Sequence, residues 1–129
     1  MTEKKQKVLM MEEDRFLRKI YKNKLIREGF EFIEATNGQE GLNKVISEKP
    51  DIVLLDLILP RKSGFDVLID MKRNSETKDI PVIILSNLSQ ESDIKKGFSF
   101  GAKEYLVKSE ISLSDVVDKV KEWTVKIKA

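Results

Sequence analysis

Four short apolar runs in this sequence are each followed directly by residues that could do chemistry. In chain order, these residues are Glu12 with Glu13, Asp56, Ser86 and Lys108. Short continuous apolar runs bounded by turn residues are typical of strands buried on both faces of a parallel sheet. Ligands bind at the carboxyl ends of the strands in open α/β sheets. We therefore expect these side chains to meet at one edge of a sheet.

The three acids in this set predict a site for a divalent cation. Carboxylates that converge at a sheet edge repel one another, which lowers stability or forces one of them to take up a proton. A hard cation with oxygen ligands removes the repulsion, and Mg²⁺ suits a site with few carboxylates and open water positions. Taken one by one, the acids could instead be solvated, or could cap a turn or a helix.

Ser86 and Lys108 extend this chemistry to phosphoryl transfer. A serine at a strand end is usually a turn residue and a lysine usually faces solvent, so neither is diagnostic alone. Around one carboxylate, however, a metal ion, an ammonium group and a hydroxyl are the parts that stabilise phosphoryl oxygens during transfer. The combination predicts that Asp56 attacks, that the metal and Lys108 neutralise charge, and that Ser86 responds to the product.

The composition excludes several other kinds of chemistry. The 129 residues contain no cysteine and no histidine, which excludes disulfides, thiolate metal sites, Ser-His-Asp catalysis and a phosphohistidine role. A formal charge of +2 gives no reason to expect nucleic acid or an anionic membrane as a partner. Because no apolar stretch could span a bilayer and no signal peptide is evident, the expected location is cytoplasmic.

The apolar pattern predicts five strands that alternate with five helices. The predicted strands cover residues 8–11, 30–35, 52–55, 81–85 and 104–107. This alternation predicts an α/β fold of βαβ units with a parallel sheet and helices on both faces. With right-handed crossovers, the common order of five strands is the flavodoxin-like 2-1-3-4-5. The length fits a single domain over residues 1–129, with a core from about 7 to 127.

Helical spacing also predicts which side chains of the helices face the core. These are Leu17, Ile20 and Leu25; Leu42, Val45 and Ile46; Ile94 and Phe98; and Leu113, Val116, Val117, Val120, Trp123 and Ile127. Asp14 is placed to cap the first helix, and Gly29 to end it in a left-handed conformation.

Several motifs resemble, in the same order, those of the receiver domain of two-component response regulators in its stand-alone form. They are the acidic pair after Val8-Leu9-Met10-Met11, Asp56-Leu57-Ile58-Leu59-Pro60 with Ser63-Gly64, Ser86, and the run Gly101 to Lys108. The resemblance extends from Val8 to the last helix. No single motif is decisive, but their common order is a strong signal.

The resemblance implies a role for each residue of the set. Asp56 would be the phosphoacceptor, Lys108 the phosphate-binding lysine and Ser86 the switch hydroxyl. Tyr105 would be the aromatic residue that changes rotamer with Ser86. The ligands of Mg²⁺ would be Glu12, Glu13, Asp56 and the backbone carbonyl of Ile58.

By the same resemblance, the chain would be a signalling switch of a phosphorelay rather than an enzyme. A histidine kinase or phosphotransfer protein would phosphorylate Asp56, and the face built from helix 4, strand 5 and helix 5 would change. A downstream output protein would bind that face. The chain would assist its own phosphorylation and its own slow dephosphorylation, and would contact neither nucleic acid nor membrane.

The sequence departs from the family pattern at two places near the site. Both acids of the first pair are Glu, although receivers usually carry at least one Asp there, so we expect weaker or rearranged Mg²⁺ binding. Ser109 follows Lys108, where the family usually has a proline, often after a cis bond. A cis bond before a non-proline residue costs about 2.5–4 kcal/mol. The sequence therefore predicts a trans Lys108–Ser109 peptide and a reshaped loop.

Two aliphatic residues occupy positions that flank the path of the hydrolytic water in receivers. Ile58 lies two residues after Asp56, and Leu88 lies two residues after Ser86. Neither side chain can hydrogen-bond a water molecule, so the sequence predicts slow self-dephosphorylation.

Three other functions compete with this interpretation. A pseudo-receiver that binds a protein without phosphorylation is favoured by the double Glu and the missing proline, and disfavoured by Asp56, Ser86 and Lys108. A hydrolase of the aspartyl-phosphate type would usually carry a second Asp at the position of Ile58. Dinucleotide binding lacks the Gly-x-Gly-x-x-Gly motif after the first strand.

Overall fold

The five predicted strands form one parallel sheet in the order β2-β1-β3-β4-β5, which confirms the predicted topology. The computed structural model describes the backbone of residues 4–128 and the side chains of residues 4–124. The strands are β1 (Lys7–Met11), β2 (Glu31–Ala35), β3 (Ile52–Leu55), β4 (Val82–Ser86) and β5 (Glu104–Val107). The helices are α1 (Arg15–Arg27), α2 (Gly38–Glu48), α3 (Gly64–Arg73), α4 (Glu91–Ser99) and α5 (Leu113–Lys128), with a 3₁₀ turn at Lys108–Glu110.

The first three helices begin at polar side chains that cap them. The Asp14 carboxylate accepts a hydrogen bond from the Leu17 amide at 3.1 Å, as predicted. Asn37 and Ser63 cap α2 and α3 in the same way. Such caps pair one of the backbone donors that a helix start leaves open, and each contributes about 1 kcal/mol. Gly29 follows α1 with φ +96°, as predicted for a left-handed helix end.

The sheet separates two apolar clusters, one on each face. Side chains alternate between the faces along each strand, so Ile83 belongs to one cluster and its neighbour Ile84 to the other. Helices α1 and α5 cover the first cluster, and α2 and α3 contribute to the second. Strands β3 and β4 are buried along their whole length, which explains their continuous apolar runs.

Three of the side chains predicted to face the core are exposed instead, and those predictions were wrong. Ile20, Ile46 and Phe98 are 47%, 42% and 48% exposed. Each lies next in sequence to a residue that is buried: Tyr21, Val45 and Gly97. One position is a rotation of about 100° around a helix. The face that each of these helices buries is therefore narrower than the apolar residues in its sequence indicate. The side chain of Ile127 lies outside the described residues.

Two glycines hold the loop between β3 and α3 in place. A Cβ on Gly64 would lie 2.2 Å from the Asp56 carbonyl oxygen, and a Cβ on Gly38 would lie 1.9 Å from that of Lys62. The Gly64 amide donates to the Leu57 carbonyl at 2.9 Å, and the Gly38 amide donates to the Pro60 carbonyl at 3.2 Å. The first residues of α2 and α3 thus both contact the backbone of this loop.

The segment after β5 confirms the predicted trans peptide between Lys108 and Ser109, since the described part of the chain has no cis bond. The chain there forms the 3₁₀ turn before α5. Among the described residues, no helix is both long enough and apolar enough to cross a membrane.

Candidate functional site

The register of the strands brings the predicted residues to one edge of the sheet. Met11 pairs with Leu55 across β1 and β3, so Glu12 and Asp56 leave the sheet side by side. The Asp56 amide continues the ladder by donating to the Met11 carbonyl at 3.1 Å. Lys108 follows the last residue of β5 at the same edge.

Lys108 joins the two buried acids of this edge. Its ammonium Nζ lies 2.8 Å from Asp56 Oδ2 and 2.5 Å from Glu12 Oε1. Glu12 and Asp56 are 3% and 7% exposed. Buried acids of this kind would repel each other strongly without a cation between them. The lysine that follows β5 therefore holds together the ends of β1 and β3.

The pKa values of this group reflect burial and pairing. Burial raises the pKa of Glu12, and the nearby charge of Asp56 adds to the rise, while Lys108 and the Asp14 amide oppose it. Burial lowers the pKa of Lys108, but its pairing with Asp56 and Glu12 outweighs that effect and leaves the pKa above its ordinary value. Lys108 is therefore a permanent cation at neutral pH.

The remaining oxygens of the two acids bind backbone amides. Glu12 Oε2 accepts from the Asp14 amide at 3.0 Å, and Asp56 Oδ1 accepts from the Ile58 amide at 3.2 Å. Glu12 Oε1 is buried and accepts no well-aligned hydrogen bond in addition to its ion pair. This oxygen therefore has acceptor capacity left beyond its ion pair, although it is buried.

Glu13 lies apart from the two buried acids. Its side chain is exposed, although it lines the same cavity. This cavity of about 400 Å³ is bordered by Glu12, Glu13, Asp14, Asp56, Ile58, Asn87 and Lys108. In the described part of the chain, no three acidic side chains are gathered closely enough to hold a metal ion. The donor chemistry nevertheless fits Mg²⁺, since carboxylate oxygens are its preferred ligands and the buried Glu12 Oε1 accepts no hydrogen bond.

Ser86 and Tyr105 both bind the backbone of Leu88. Ser86 is fully buried, and its Oγ accepts from the Leu88 amide at 3.3 Å. The Tyr105 hydroxyl donates to the Leu88 carbonyl at 2.7 Å. Burial raises the pKa of Tyr105, and the charges of Asp93 and Asp56 add to the rise. The loop after β4 therefore connects the predicted switch residues to each other.

The glycine of α4 leaves room for this arrangement. A Cβ on Gly97 would lie 2.9 Å from Tyr105 Cδ2 and 2.7 Å from Ile84 Cδ1. The Tyr105 ring consequently packs against the helix itself. Gly97 interrupts an otherwise ordinary helical pattern, which is the signal that could have identified it.

Two further residues at the site were missed in the sequence. Arg18 donates from Nη1 to the carbonyls of Glu12 and Glu13, at 2.8 Å each, and so fixes the acidic segment. Asn87 borders the cavity beside Lys108. Its position directly after a strand end was the available signal.

The comparison with protein families identifies the class of protein that this fold and site define. A family model described as the response regulator receiver domain matches residues 8–121. The chain therefore belongs to the receiver-domain family of response regulators. Receiver domains are signalling modules of two-component systems, and they interact with histidine kinases and output proteins.

Curated relatives include both longer regulators and a short protein. The chain is 35% identical over 106 residues to the probable transcriptional regulator ycf27 of Guillardia theta, covering 82% of this chain and 41% of the relative. It is 32% identical over 115 residues to the phosphate regulon transcriptional regulatory protein PhoB of Escherichia coli, covering 89% and 50%. It is 38% identical over 84 residues to Protein PilH of Pseudomonas aeruginosa, covering 65% and 69%. The chain thus spans half or less of the two regulators.

Solved structures confirm the fold. The receiver domain of the Francisella response regulator 1452 superposes with a TM-score of 0.88 at 24% identity, covering 95% of this chain and 98% of that one. The receiver domain of a putative LuxO repressor protein from Vibrio parahaemolyticus gives 0.88 at 25% identity, with 97% and 94% covered.

Proposed function

We propose that Asp56 accepts a phosphoryl group from a histidine kinase or a phosphotransfer protein. The observation that carries this proposal is the 2.8 Å pair between Asp56 and Lys108 at the wall of an open cavity. A carboxylate beside a permanent cation can attack phosphorus and keep the transferred charge neutralised. In this proposal, residues 1–129 act as one cytoplasmic receiver domain without direct contact to nucleic acid or membrane.

The chain's own residues account for most of this reaction. The Asp56 carboxylate is oriented by the Ile58 amide, which binds one oxygen and leaves the other towards Lys108. Lys108 neutralises the phosphoryl oxygens as they arrive. Ser86 would then turn its hydroxyl from the Leu88 amide to the phosphoryl group, and the loop would move with Tyr105. These shifts alter the face formed by α4, β5 and α5, which an output protein binds.

Magnesium would be held by Glu12, Glu13, Asp56 and the backbone carbonyl of Ile58. When bound, the ion supplies positive charge for the phosphoryl oxygens. Because Glu13 is exposed and Glu12 is paired with Lys108, the acids must gather around the ion at some cost. We expect Glu13→Asp to change the Mg²⁺ affinity of the chain, as measured by isothermal titration. An affinity equal to that of the unmodified chain would show that side-chain length at this position is unimportant.

A phosphorylation-independent binding module remains the second candidate. The observation that favours it is that Lys108 already pairs with both Glu12 and Asp56, so a cation holds the two buried acids together without a phosphoryl group. In that case the protein-binding face would be formed permanently.

Intact-mass spectrometry distinguishes the two functions. The protein is incubated with Mg²⁺ and acetyl phosphate, and we expect one added phosphoryl group. Asp56→Asn should abolish the adduct, whereas the matched control Asp66→Asn, at an exposed acid of α3, should retain it. The absence of an adduct in the folded wild type, with a kinase donor as well, would favour the binding module.

A further inference from the structure

Asn87 is one of the residues that border the cavity at Asp56. Ser86 pairs with Val107 across β4 and β5, so Asn87 leaves the sheet beside Lys108. Lys108 and Ile58 border the cavity together with Asn87.

The chemistry of the cavity wall distinguishes Asn87 from the other residues. The wall consists of the acids Glu12, Glu13, Asp14 and Asp56, the cation Lys108, the apolar Ile58, and Asn87. Asn87 is the one neutral polar side chain among these described residues. Its amide is exposed and makes no side-chain hydrogen bond within residues 4–124. Two N–H donors at the border of an acidic cavity are therefore free to bind a ligand.

Ser86, the hydroxyl next to Asn87, does not have this freedom. It is fully buried, and its Oγ accepts from the Leu88 amide. It is also not among the residues that border the cavity. In this conformation the donor available to an incoming anion next to Lys108 is thus Asn87 rather than Ser86.

We propose that the Asn87 amide binds the phosphoryl oxygens of the phosphodonor at Asp56, an inference that rests on the function proposed above. The ammonium of Lys108 is shared between two acids, and an anionic donor must approach past four carboxylates. A neutral hydrogen-bond donor such as the Asn87 amide offsets part of this repulsion. Unlike a second cation, it would not form an ion pair with the acids of the cavity. Asn87 therefore contributes to the capture of the donor before Ser86 turns.

The step assigns no proton transfer to Asn87. With acetyl phosphate, an oxygen of Asp56 forms a bond to phosphorus while the bond from phosphorus to the acetate oxygen breaks. Acetate leaves with the electron pair and needs no proton. The amide N–H groups of Asn87 donate to the non-bridging oxygens throughout.

The test compares phosphorylation rates of Asn87→Ala and Asn87→Asp with the wild type, using acetyl phosphate and Mg²⁺ and intact-mass detection. Asn87→Ala removes a hydrogen bond to a charged acceptor. We therefore expect it to reduce the phosphorylation rate at low acetyl phosphate concentration about tenfold. Asn87→Asp keeps the shape but adds a like charge, so its loss should be larger. Asn23→Ala, at an exposed asparagine of α1, is the matched control and should react like wild type.

A second measurement does not depend on the chemical step. Beryllium fluoride with Mg²⁺ supplies an anionic phosphoryl mimic, and its binding can be followed as a concentration-dependent rise in Tm. We expect Asn87→Ala to need about tenfold more beryllium fluoride for the same rise.

The possible outcomes separate this inference from the proposed function. A wild type that is phosphorylated, with Asn87→Ala at an equal rate, would overturn the role of Asn87 alone. A faster Asn87→Ala would show that the side chain only narrows access to Asp56. A folded wild type without any adduct, from acetyl phosphate or a kinase donor, would overturn both proposals.

Discussion

Tyr21 shows how a single buried group makes the stability of this protein sensitive to pH. The residue is 5% exposed, and burial together with the charge of Glu12 raises its pKa to about 12, from an ordinary 10.0. The folded state therefore keeps a proton that the unfolded chain loses between these values. The stabilising contribution is complete below pH 10 and disappears as the pH rises through 12.

We predict that Tyr21→Phe removes part of this alkaline destabilisation. Between pH 10 and 12, the free energy of unfolding of the wild type should fall more steeply than that of the variant, by a difference on the order of 2 kcal/mol. Urea denaturation at several pH values measures this difference. Parallel pH profiles for the two proteins would contradict the assignment to Tyr21.

A second prediction at the residue scale concerns the lifetime of phosphorylated Asp56. Ile58 is 58% exposed and borders the cavity, whereas Leu88 is half-buried against the core. Because neither can orient a water molecule, we expect Ile58→Asn to accelerate loss of the phosphoryl group severalfold, with a smaller effect of Leu88→Gln. The decay is followed by intact mass after removal of the donor. Ile46→Asn makes the same change at an exposed isoleucine of α2 away from the cavity and serves as the control. Equal decay in all variants would refute the shielding role.

Among the elements, α4 packs against the sheet through Gly97, its one buried residue among those described. An alanine there would gain helix propensity of about 1 kcal/mol, but its methyl group would meet Tyr105 and Ile84. We predict that Gly97→Ala destabilises the protein by about 1–3 kcal/mol, because overpacking outweighs propensity. Urea denaturation gives the value, and the penalty should shrink when Gly97→Ala is combined with Tyr105→Ala. An equal penalty in both backgrounds would exclude the clash with the ring.

How far the sequence predicts these elements depends on the kind of burial. Strands β3 and β4 contact apolar groups on both faces, so their continuous runs identify them directly. For Ile20, Ile46 and Phe98, the apolar pattern indicated the core, yet the stripe that each helix buries is set by its contact with the sheet. The site shows the same limit: the register places Glu12, Asp56 and Lys108 together, but the exposure of Glu13, the burial of Ser86 and the donors of Asn87 depend on side-chain packing in three dimensions.

At the scale of the whole molecule, the sheet divides the core into two separate apolar clusters. Ile52 and Ile84 are both fully buried, on opposite faces. We predict that Ile52→Val and Ile84→Val each cost about 0.5–1.5 kcal/mol. Because they share no apolar cluster, the double variant should lose the sum of both within about 0.5 kcal/mol. Denaturant unfolding tests this, and a clear departure from additivity would mean that strain crosses the sheet.

Because Gly38 and Gly64 lie so close to the loop after β3, the two loops beside Asp56 differ in how easily they can be displaced. On that side, backbone meets backbone with no space for a side chain, so displacement there would have to shift two helices at once. On the other side, the loop after β4 is attached through two side-chain hydroxyls, those of Ser86 and Tyr105, which can rotate. A change at Asp56 should therefore displace the loop after β4 and leave the loop after β3 in place.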